Sequence, residues 1–256
     1  MSNNFLAIKN LKKSFGGLTA VNVENLDFKE GQLTSIIGPN GAGKTTFFDL
    51  ISGFQTSDSG EIFFRDKNIS SYQPYRIARL GMVRTFQLTK VFDRMSVLEN
   101  LLFSGSSIKN DSFLKGLVKT NSQIIYESEL REKALAILSE LNIDHMANSY
   151  ARELSGGQKK LLELARAIIN EPQVLLLDEP LAGVNPKLAE ELLELIYKLS
   201  NEGITILMVE HNIEAVMKIS KRVVVLAEGQ VIADGDPVEV RNSRDVIEAY
   251  LGIDNE

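Results

Sequence analysis

One short stretch, Gly38 to Thr46, constrains what this chain can fold into more than any other part of the sequence. It contains two glycines separated by four residues, then a lysine and a hydroxyl residue. The apolar run Leu33–Ile37 precedes it, as a β-strand precedes a phosphate-binding loop. The pattern predicts a P-loop between a strand and a helix, made of Gly38, Pro39, Asn40, Gly41, Ala42, Gly43, Lys44, Thr45 and Thr46.

Each residue type in this loop has a physical reason for its place. Backbone N–H groups bind the phosphates of a nucleotide, and Gly41 and Gly43 let the backbone approach closely because they lack side chains. We expect Lys44 to reach the β- and γ-phosphates and Thr45 to place its hydroxyl on Mg²⁺. The helix that opens at Gly43 directs its positive end at the phosphates. A glycine-rich turn that binds no ligand is the alternative interpretation.

Composition limits the classes of protein to consider. With 256 residues and 44% hydrophobic content, the chain can bury a full core, and we expect one compact unit with room for an inserted subdomain. The net charge of −6 argues against a nucleic-acid binder that works by bulk electrostatics. The absence of cysteine excludes disulfides, thiolate catalysis and thiolate metal sites. No apolar run approaches the length of a membrane span, and the polar start Met1–Asn4 does not look like an export signal, so a soluble chain is expected.

The first part of the chain has the pattern of an antiparallel sheet. Residues 5–9 and 21–28 alternate apolar and polar side chains, and Gly16-Gly17 can form a turn between them. A further strand is expected at 61–64, and a buried strand at 82–86. Phe15 precedes the glycine turn, where its ring could stack on a base or simply pack into the core.

The middle of the chain predicts helices. Residues 96–170 contain no convincing strand, and apolar residues from Leu130 to Leu141 recur at spacings of three and four. Residues 104–123 are rich in Ser, Asn, Lys and Gly, so we predict a mobile loop there without regular structure. Ser155 is placed to cap the helix that follows it.

The last part alternates strands and helices. The strand 174–177 is apolar throughout, as a parallel strand covered on both faces must be, and it ends in Asp178 and Glu179. A second buried strand at 204–209 is followed by His211. Open α/β sheets bind ligands at the carboxyl ends of their strands, so these side chains are candidates for a site.

Taken together, the motifs resemble those of the ATP-binding-cassette ATPases. They are the P-loop, Gln87, Leu154–Gln158, Leu175–Pro180 and His211, in the order of that family. Each motif alone is weak, because a Ser-Gly-Gly-Gln stretch is usually a capped loop and an Asp-Glu pair is often solvated surface. The resemblance implies an α/β fold, a P-loop NTPase (RecA-like) core with an antiparallel β subdomain and an inserted α-helical subdomain. The corresponding division is 1–87 and 171–240 for the core, 88–170 for the helical subdomain and 241–256 for a C-terminal helix.

The resemblance also implies roles for individual residues, with ATP and Mg²⁺ as the bound species. Catalysis would fall to Glu179 as the general base, with His211 and Gln87 contacting or sensing the γ-phosphate and Lys44 on the phosphates. The metal would be held by Thr45, Gln87 and Asp178. Phe15 matches the aromatic residue that stacks on adenine.

In this family, Ser155 and Gly157 complete the ATP site of a second subunit. The resemblance therefore implies a head-to-tail homodimer, or a heterodimer with a similar ATPase subunit. Asn185 departs from the family pattern, because most members have an aspartate there. That departure puts communication across the dimer through this position in doubt.

Four stretches resemble the sequences of one importer branch, which serves branched-chain and other neutral amino acids. They are Phe15–Leu18, Arg84–Gln87, Leu181–Asn185 and Asp245–Gly252. Urea importers share much of this pattern. The branch implies transmembrane permease subunits, indirectly an extracytoplasmic solute-binding protein, no nucleic acid, and a peripheral place on the cytoplasmic side of the cell membrane. A soluble cassette ATPase acting on DNA or ribosomes is the rival class, although such proteins usually carry two cassettes. A GTPase is disfavoured because no Asn-Lys-x-Asp motif is present.

Overall fold

The computed structural model of the chain describes residues 5–85, 91–106 and 121–251. Within these ranges the chain divides into two compact units. Of the described residues, the first unit contains those in 5–84, 173–181 and 190–251, and the second those in 85–172 and 182–189.

The strands, numbered in chain order, are β1 (Leu6–Phe15), β2 (Leu18–Phe28), β3 (Leu33–Ile37), β4 (Ser59–Phe64), β5 (Lys67–Asn68), β6 (Met82–Arg84), β7 (Val174–Asp178), β8 (Thr205–Val209), β9 (Arg222–Ala227) and β10 (Gln230–Gly235). The α-helices are α1 (Lys44–Ile51), α2 (Pro74–Arg79), α3 (Val97–Ser106), α4 (Asn121–Glu140), α5 (Gly156–Ile168), α6 (Pro186–Asn201), α7 (Ile213–Ile219), α8 (Pro237–Arg241) and α9 (Arg244–Leu251). The short strand β5 and the helix α8 were not predicted from the sequence.

The main sheet of the first unit has the strand order β10-β9-β3-β8-β7-β6. All neighbouring pairs are parallel except β9 and β10. Every residue of β3, β7 and β8 is buried, so these mostly apolar strands are covered on both faces. Because they run in the same direction, their carboxyl ends meet at one edge of the sheet.

A second, antiparallel sheet has the order β2-β1-β4-β5. The first hairpin is longer than predicted, since β1 continues to Phe15 and β2 begins at Leu18, which leaves Gly16-Gly17 as a two-residue turn. The pairing of β1 with β4 shifts register between Lys9 and Lys12, where Asn10 has a φ of +48°. This irregularity interrupts the strand directly after Lys9, which is where the predicted strand ended.

The core of the first unit surrounds α1. Phe47, Phe48 and Ile51 are fully buried, in one hydrophobic cluster with residues of both sheets such as Leu6 and Leu176. Burial of side chains of this size contributes about 1.5–3 kcal/mol each. The helix that carries the end of the P-loop is therefore fixed by packing on its apolar face.

The second unit is helical, as predicted. Ala134 and Leu138 of α4 are buried, and Gly105 of α3 lies so close to Leu130 that a Cβ atom would come within 2.5 Å of its side chain. The prediction of a structureless loop over 104–123 is wrong at both ends, because α3 continues to Ser106 and α4 begins at Asn121. Residues 107–120 lie outside the described residues.

Across residues 5–85, 91–106 and 121–251, no helix combines the length and the apolar character needed to cross a membrane.

Candidate nucleotide-binding site

The carboxyl ends of three adjacent parallel strands bring the predicted site residues of the first unit together. The P-loop follows β3, Asp178 ends β7 with Glu179 next to it, and His211 lies two residues after β8. β8 pairs with both β3 and β7, so the three ends are neighbours. This is the edge at which open α/β sheets bind ligands.

Two P-loop glycines are required by lack of space. A Cβ atom on Gly38 would lie 2.0 Å from the Leu226 carbonyl oxygen, and one on Gly43 would lie 2.1 Å from the Ala20 carbonyl oxygen. Gly43 also has a φ of +95°, in the region that favours glycine. Both glycines let the loop pack directly on neighbouring backbone.

We expect Gly43→Ala to destabilise the fold much more than Gly41→Ala. Both residues have positive φ, but a Cβ atom on Gly41 would meet no heavy atom within 4 Å. Gly41→Ala should therefore cost only the backbone strain, about 1–2 kcal/mol, while Gly43→Ala adds a backbone clash. Urea unfolding of the two variants measures the difference. Equal unfolding midpoints would contradict this account of the loop.

The turn between β9 and β10 is hydrogen-bonded to the P-loop. The Gly229 N–H donates to the Ala42 carbonyl at 3.1 Å, and the Asn22 N–H donates to the Gly229 carbonyl at 2.7 Å. A turn far along the chain therefore joins the P-loop to β2. Gly229 was not predicted from the sequence to support the site.

Lys44 is held inside the loop. Its Nζ donates to the carbonyl oxygens of Gly38 at 2.7 Å and Pro39 at 2.8 Å, and only 6% of the residue is exposed. Burial lowers the pKa of Lys44 below its usual value, against the opposing effect of the negative charges on Glu179 and Asp178. An ammonium has three donors, so one remains for a phosphate oxygen.

Glu179 and His211 form a direct contact at the sheet edge. The Glu179 Oε1 and His211 Nε2 atoms are 2.8 Å apart. Glu179 has a φ of +48°, a left-handed conformation that costs a non-glycine residue about 1–2 kcal/mol. Its N–H donates to the Val209 carbonyl at 2.9 Å, which helps to hold this backbone conformation. The geometry suits a carboxylate that is kept at one position beside an imidazole.

Glu210 joins the two loops that carry this pair. Its Oε1 accepts from the Leu181 N–H at 2.8 Å and its Oε2 accepts from the His211 N–H at 3.1 Å, while the residue is 4% exposed. Glu210 was not predicted from the sequence to belong to the site. The available signal was a carboxylate directly after a fully buried strand, because a buried charge needs partners.

The donor set fits a magnesium ion bound together with phosphates. The Asp178 carboxylate is buried at the carboxyl end of β7, and Thr45 directly follows Lys44 in the P-loop. No group of three or more His, Cys, Asp or Glu side chains within the described ranges could hold a metal ion by itself. Mg²⁺ on a nucleotide takes only one or two protein carboxylates, with phosphate and water oxygens completing its shell.

Phe15 is 47% exposed, so the alternative of simple core packing is wrong for this residue. The Lys13 Nζ lies 5.5 Å from the ring centroid. The ring is thus at the surface of the first unit, where about half of the residue is exposed.

The remaining predicted residues lie elsewhere. Gln87 lies outside the described residues. Ser155 and Gly157 belong to the second unit, where Ser155 caps α5 as predicted. The cap is a capping box, in which the Ser155 Oγ accepts from the Gln158 N–H at 3.3 Å and the Ser155 N–H donates to the Gln158 Oε1 at 2.9 Å.

Asn185 has a local structural role. Its Oδ1 accepts from the Leu188 N–H at 2.9 Å, and Pro186 follows it as the first residue of α6. Asparagine and aspartate are both good N-cap residues. The departure from the family pattern therefore keeps the helix cap and removes one negative charge.

The fold and the site define a P-loop nucleotide-binding protein. Residues 21–182 match the family described as "ABC transporter", and residues 230–254 match the one described as "Branched-chain amino acid ATP-binding cassette transporter". The chain belongs to the ABC transporter family, as an ATP-binding cassette whose ATPase activity powers transport.

Curated relatives match over almost their full length. The "High-affinity branched-chain amino acid transport ATP-binding protein BraF" of Pseudomonas aeruginosa is 44% identical over 253 residues, which cover 98% of this chain and 99% of the relative. The "Probable branched-chain amino acid transport ATP-binding protein LivG" of Archaeoglobus fulgidus is 43% identical, over 96% of this chain and 95% of the relative.

Solved structures agree with this assignment. An ATP-binding cassette in its ADP conformation is 36% identical, with a TM-score of 0.83 over 97% of this chain and 99% of that one. A dimeric cassette in a post-hydrolysis state, bound to ADP and Pi, is 26% identical, with a TM-score of 0.76 over 91% of this chain and 98% of that one. These neighbours confirm the predicted fold class.

Proposed function

We propose that this chain powers the uptake of branched-chain or other neutral amino acids. The observation that carries the proposal is the match of residues 230–254 to a branched-chain amino acid cassette, beyond the ATPase core that many transporters share. The names of the relatives support the same substrate class. The transported solute does not reach an ATPase subunit of this kind, so the nucleotide site does not encode its identity.

In the proposed reaction, the Glu179 carboxylate orients the water that attacks the γ-phosphate and accepts its proton. His211, in contact with Glu179 at 2.8 Å, contacts the γ-phosphate and keeps the attacking geometry. Lys44 stabilises charge on the β- and γ-phosphates, and Gln87 senses the γ-phosphate. These are positioning and electrostatic roles, as phosphoryl transfer requires.

Mg²⁺ would be held by Thr45, Asp178 and Gln87. When bound, the ion neutralises charge that develops on the phosphate oxygens. On the protein side, Phe15 would stack on adenine, and the loop N–H groups from Gly38 to Thr46 would bind the phosphates.

We also propose a head-to-tail dimer in which Ser155 and Gly157 complete the site of the partner. The start of α5 supports this, because Ser155 and Gly156 are exposed and a helix N-terminus attracts phosphate. The dimeric state of the solved cassette bound to ADP and Pi supports the dimer itself. Both a homodimer and a heterodimer with a similar subunit fit the proposal.

The remaining parts of the proposal concern the assembly. We propose 1–87 and 171–240 as the nucleotide-binding core, 88–170 as the helical subdomain and 241–256 for the C-terminal helix, of which the structure describes α9. The subunit works on the cytoplasmic side of the membrane with transmembrane permease subunits, and indirectly with an extracytoplasmic solute-binding protein. Its net charge of −6 is no obstacle, since docking depends on a local surface.

Uptake in a strain deleted for this chain tests the substrate. We expect loss of labelled leucine uptake, restored by the wild-type chain and by Lys67→Ala, which changes an exposed lysine of β5, but not by Lys44→Ala. Neutral amino acids and urea are measured in parallel. Loss of urea uptake with normal leucine uptake would contradict the proposed substrate class and leave the ATPase assignment intact.

A further inference from the structure

We propose that Arg84 is a positioning residue that holds the Asp178 carboxylate in the orientation needed to bind the metal ion. The inference rests on the proposed metal role of Asp178. Arg84 is the last residue of β6, and its side chain is 5% exposed. Its Nη2 donates to the Asp178 Oδ2 at 2.9 Å, and the Asp178 side chain is itself 6% exposed.

The other end of the guanidinium is fixed to the P-loop helix. The Arg84 Nη1 donates to the Asp49 Oδ1 at 2.6 Å and to the Ser52 Oγ at 3.1 Å, both at the end of α1. The rings of Phe48 and Phe54 each lie 5.7 Å from the guanidinium carbon. Two anionic partners and two aromatic contacts leave the planar group little freedom.

The consequence for the site concerns which carboxylate oxygen faces the cation. Because Arg84 takes Oδ2, ligation of Mg²⁺, directly or through a water, falls to Oδ1 of Asp178. A carboxylate with one oxygen fixed cannot rotate away when the cation arrives. Groups that orient metal ligands in this way typically contribute about 10–100-fold in metal affinity.

The chemistry selects arginine at this position. A lysine has one compact ammonium group on a flexible side chain. It cannot donate to Asp178 and Asp49 from two separate, coplanar nitrogens, as the guanidinium does. Arg84→Lys therefore keeps the charge and removes the fork. Asp49→Asn is a milder change, because Asp49 is 22% exposed and the amide keeps an acceptor oxygen for Arg84.

The experiment separates metal affinity from nucleotide affinity, using the full chain with Glu179→Gln to prevent turnover. ATP affinity is measured in EDTA, and the affinity for Mn²⁺ as the probe ion is then measured by electron paramagnetic resonance at saturating ATP. We expect Arg84→Lys to lower Mn²⁺ affinity about tenfold and Asp49→Asn about threefold, with metal-free ATP affinity within about twofold of the parent. Arg65→Lys, a change to an exposed arginine paired with Glu30, is the matched control and should change neither.

The outcomes distinguish this inference from the proposed function. Asp178→Asn is measured beside the other variants. If it lowers Mn²⁺ affinity while Arg84→Lys and Asp49→Asn do not, Arg84 does not position the ligand. If Asp178→Asn has no effect, the metal role of Asp178 itself is wrong. Should Arg84→Lys fail to fold, unchanged Mn²⁺ affinity in Asp49→Asn overturns the inference by itself.

Discussion

Glu179→Gln should bind MgATP with nearly wild-type affinity and hydrolyse it about 100-fold more slowly or worse. The amide has the shape of the carboxylate and can keep the contact with His211, which is 2.8 Å in the wild-type chain. It cannot accept a proton from water at neutral pH. The loss should therefore fall on kcat and leave nucleotide affinity unchanged.

Phosphate release and nucleotide binding, measured on the same preparation, check this expectation. The control is Glu202→Gln. Glu202 is the exposed residue directly after α6 and has no role in the proposed reaction, so this variant should keep normal turnover. Undiminished turnover in Glu179→Gln would refute the assignment of the base. Loss of ATP binding together with turnover would point to a structural role.

The second large effect is the recovery of activity from two inactive subunits. Ser155→Ala and Lys44→Ala proteins should each hydrolyse ATP poorly and regain activity when mixed. In a head-to-tail dimer, a mixed pair has one site with both wild-type residues and one site with neither. Random pairing makes about half of the dimers mixed, so the mixture should reach about a quarter of wild-type activity.

The cap role of Ser155 requires its own control. Loss of the Ser155 hydroxyl costs about 1 kcal/mol of helix stability, apart from any effect on a partner site. Asp236→Ala removes the cap of α8, where the Asp236 side chain accepts from the Val238 N–H at 2.9 Å. This variant should lose similar stability and keep its activity. No recovery on mixing, with both variants folded, would make a shared site untenable.

The parts of the site that could be predicted from the sequence are motifs made of consecutive residues. Gly38–Thr46 and the Asp178-Glu179 pair have fixed spacing along the chain, and each follows an apolar strand. Residue type and local spacing were enough to place the loop and the acid pair at strand ends, and the resemblance to the family then implied the roles of Asp178 and Glu179. The capping role of Ser155 was predicted for the same reason.

The parts that the sequence did not predict depend on contacts between segments far apart in the chain. Arg84 contacts Asp178, which lies 94 positions further along the chain, and Glu210 accepts a hydrogen bond from the N–H of Leu181, 29 positions before it. The local sequence placed Arg84 in a buried strand and Glu210 directly after one, but it did not show which residues they would contact. Only the order of strands in the sheet decides which of these charges become buried and paired.

The position of β3 in the main sheet has a consequence for folding during synthesis. This strand lies between β8 and β9, which both come from the last quarter of the chain, and the turn at Gly229 completes the support of the P-loop. Contacts between such distant segments form late, because the intervening chain must first be closed. When only the first half of the chain has been synthesised, the P-loop is therefore present but β8 and β9, the two strands that flank β3, are not. We therefore expect the nascent chain to bind ATP only after β8, β9 and the turn at Gly229 have emerged.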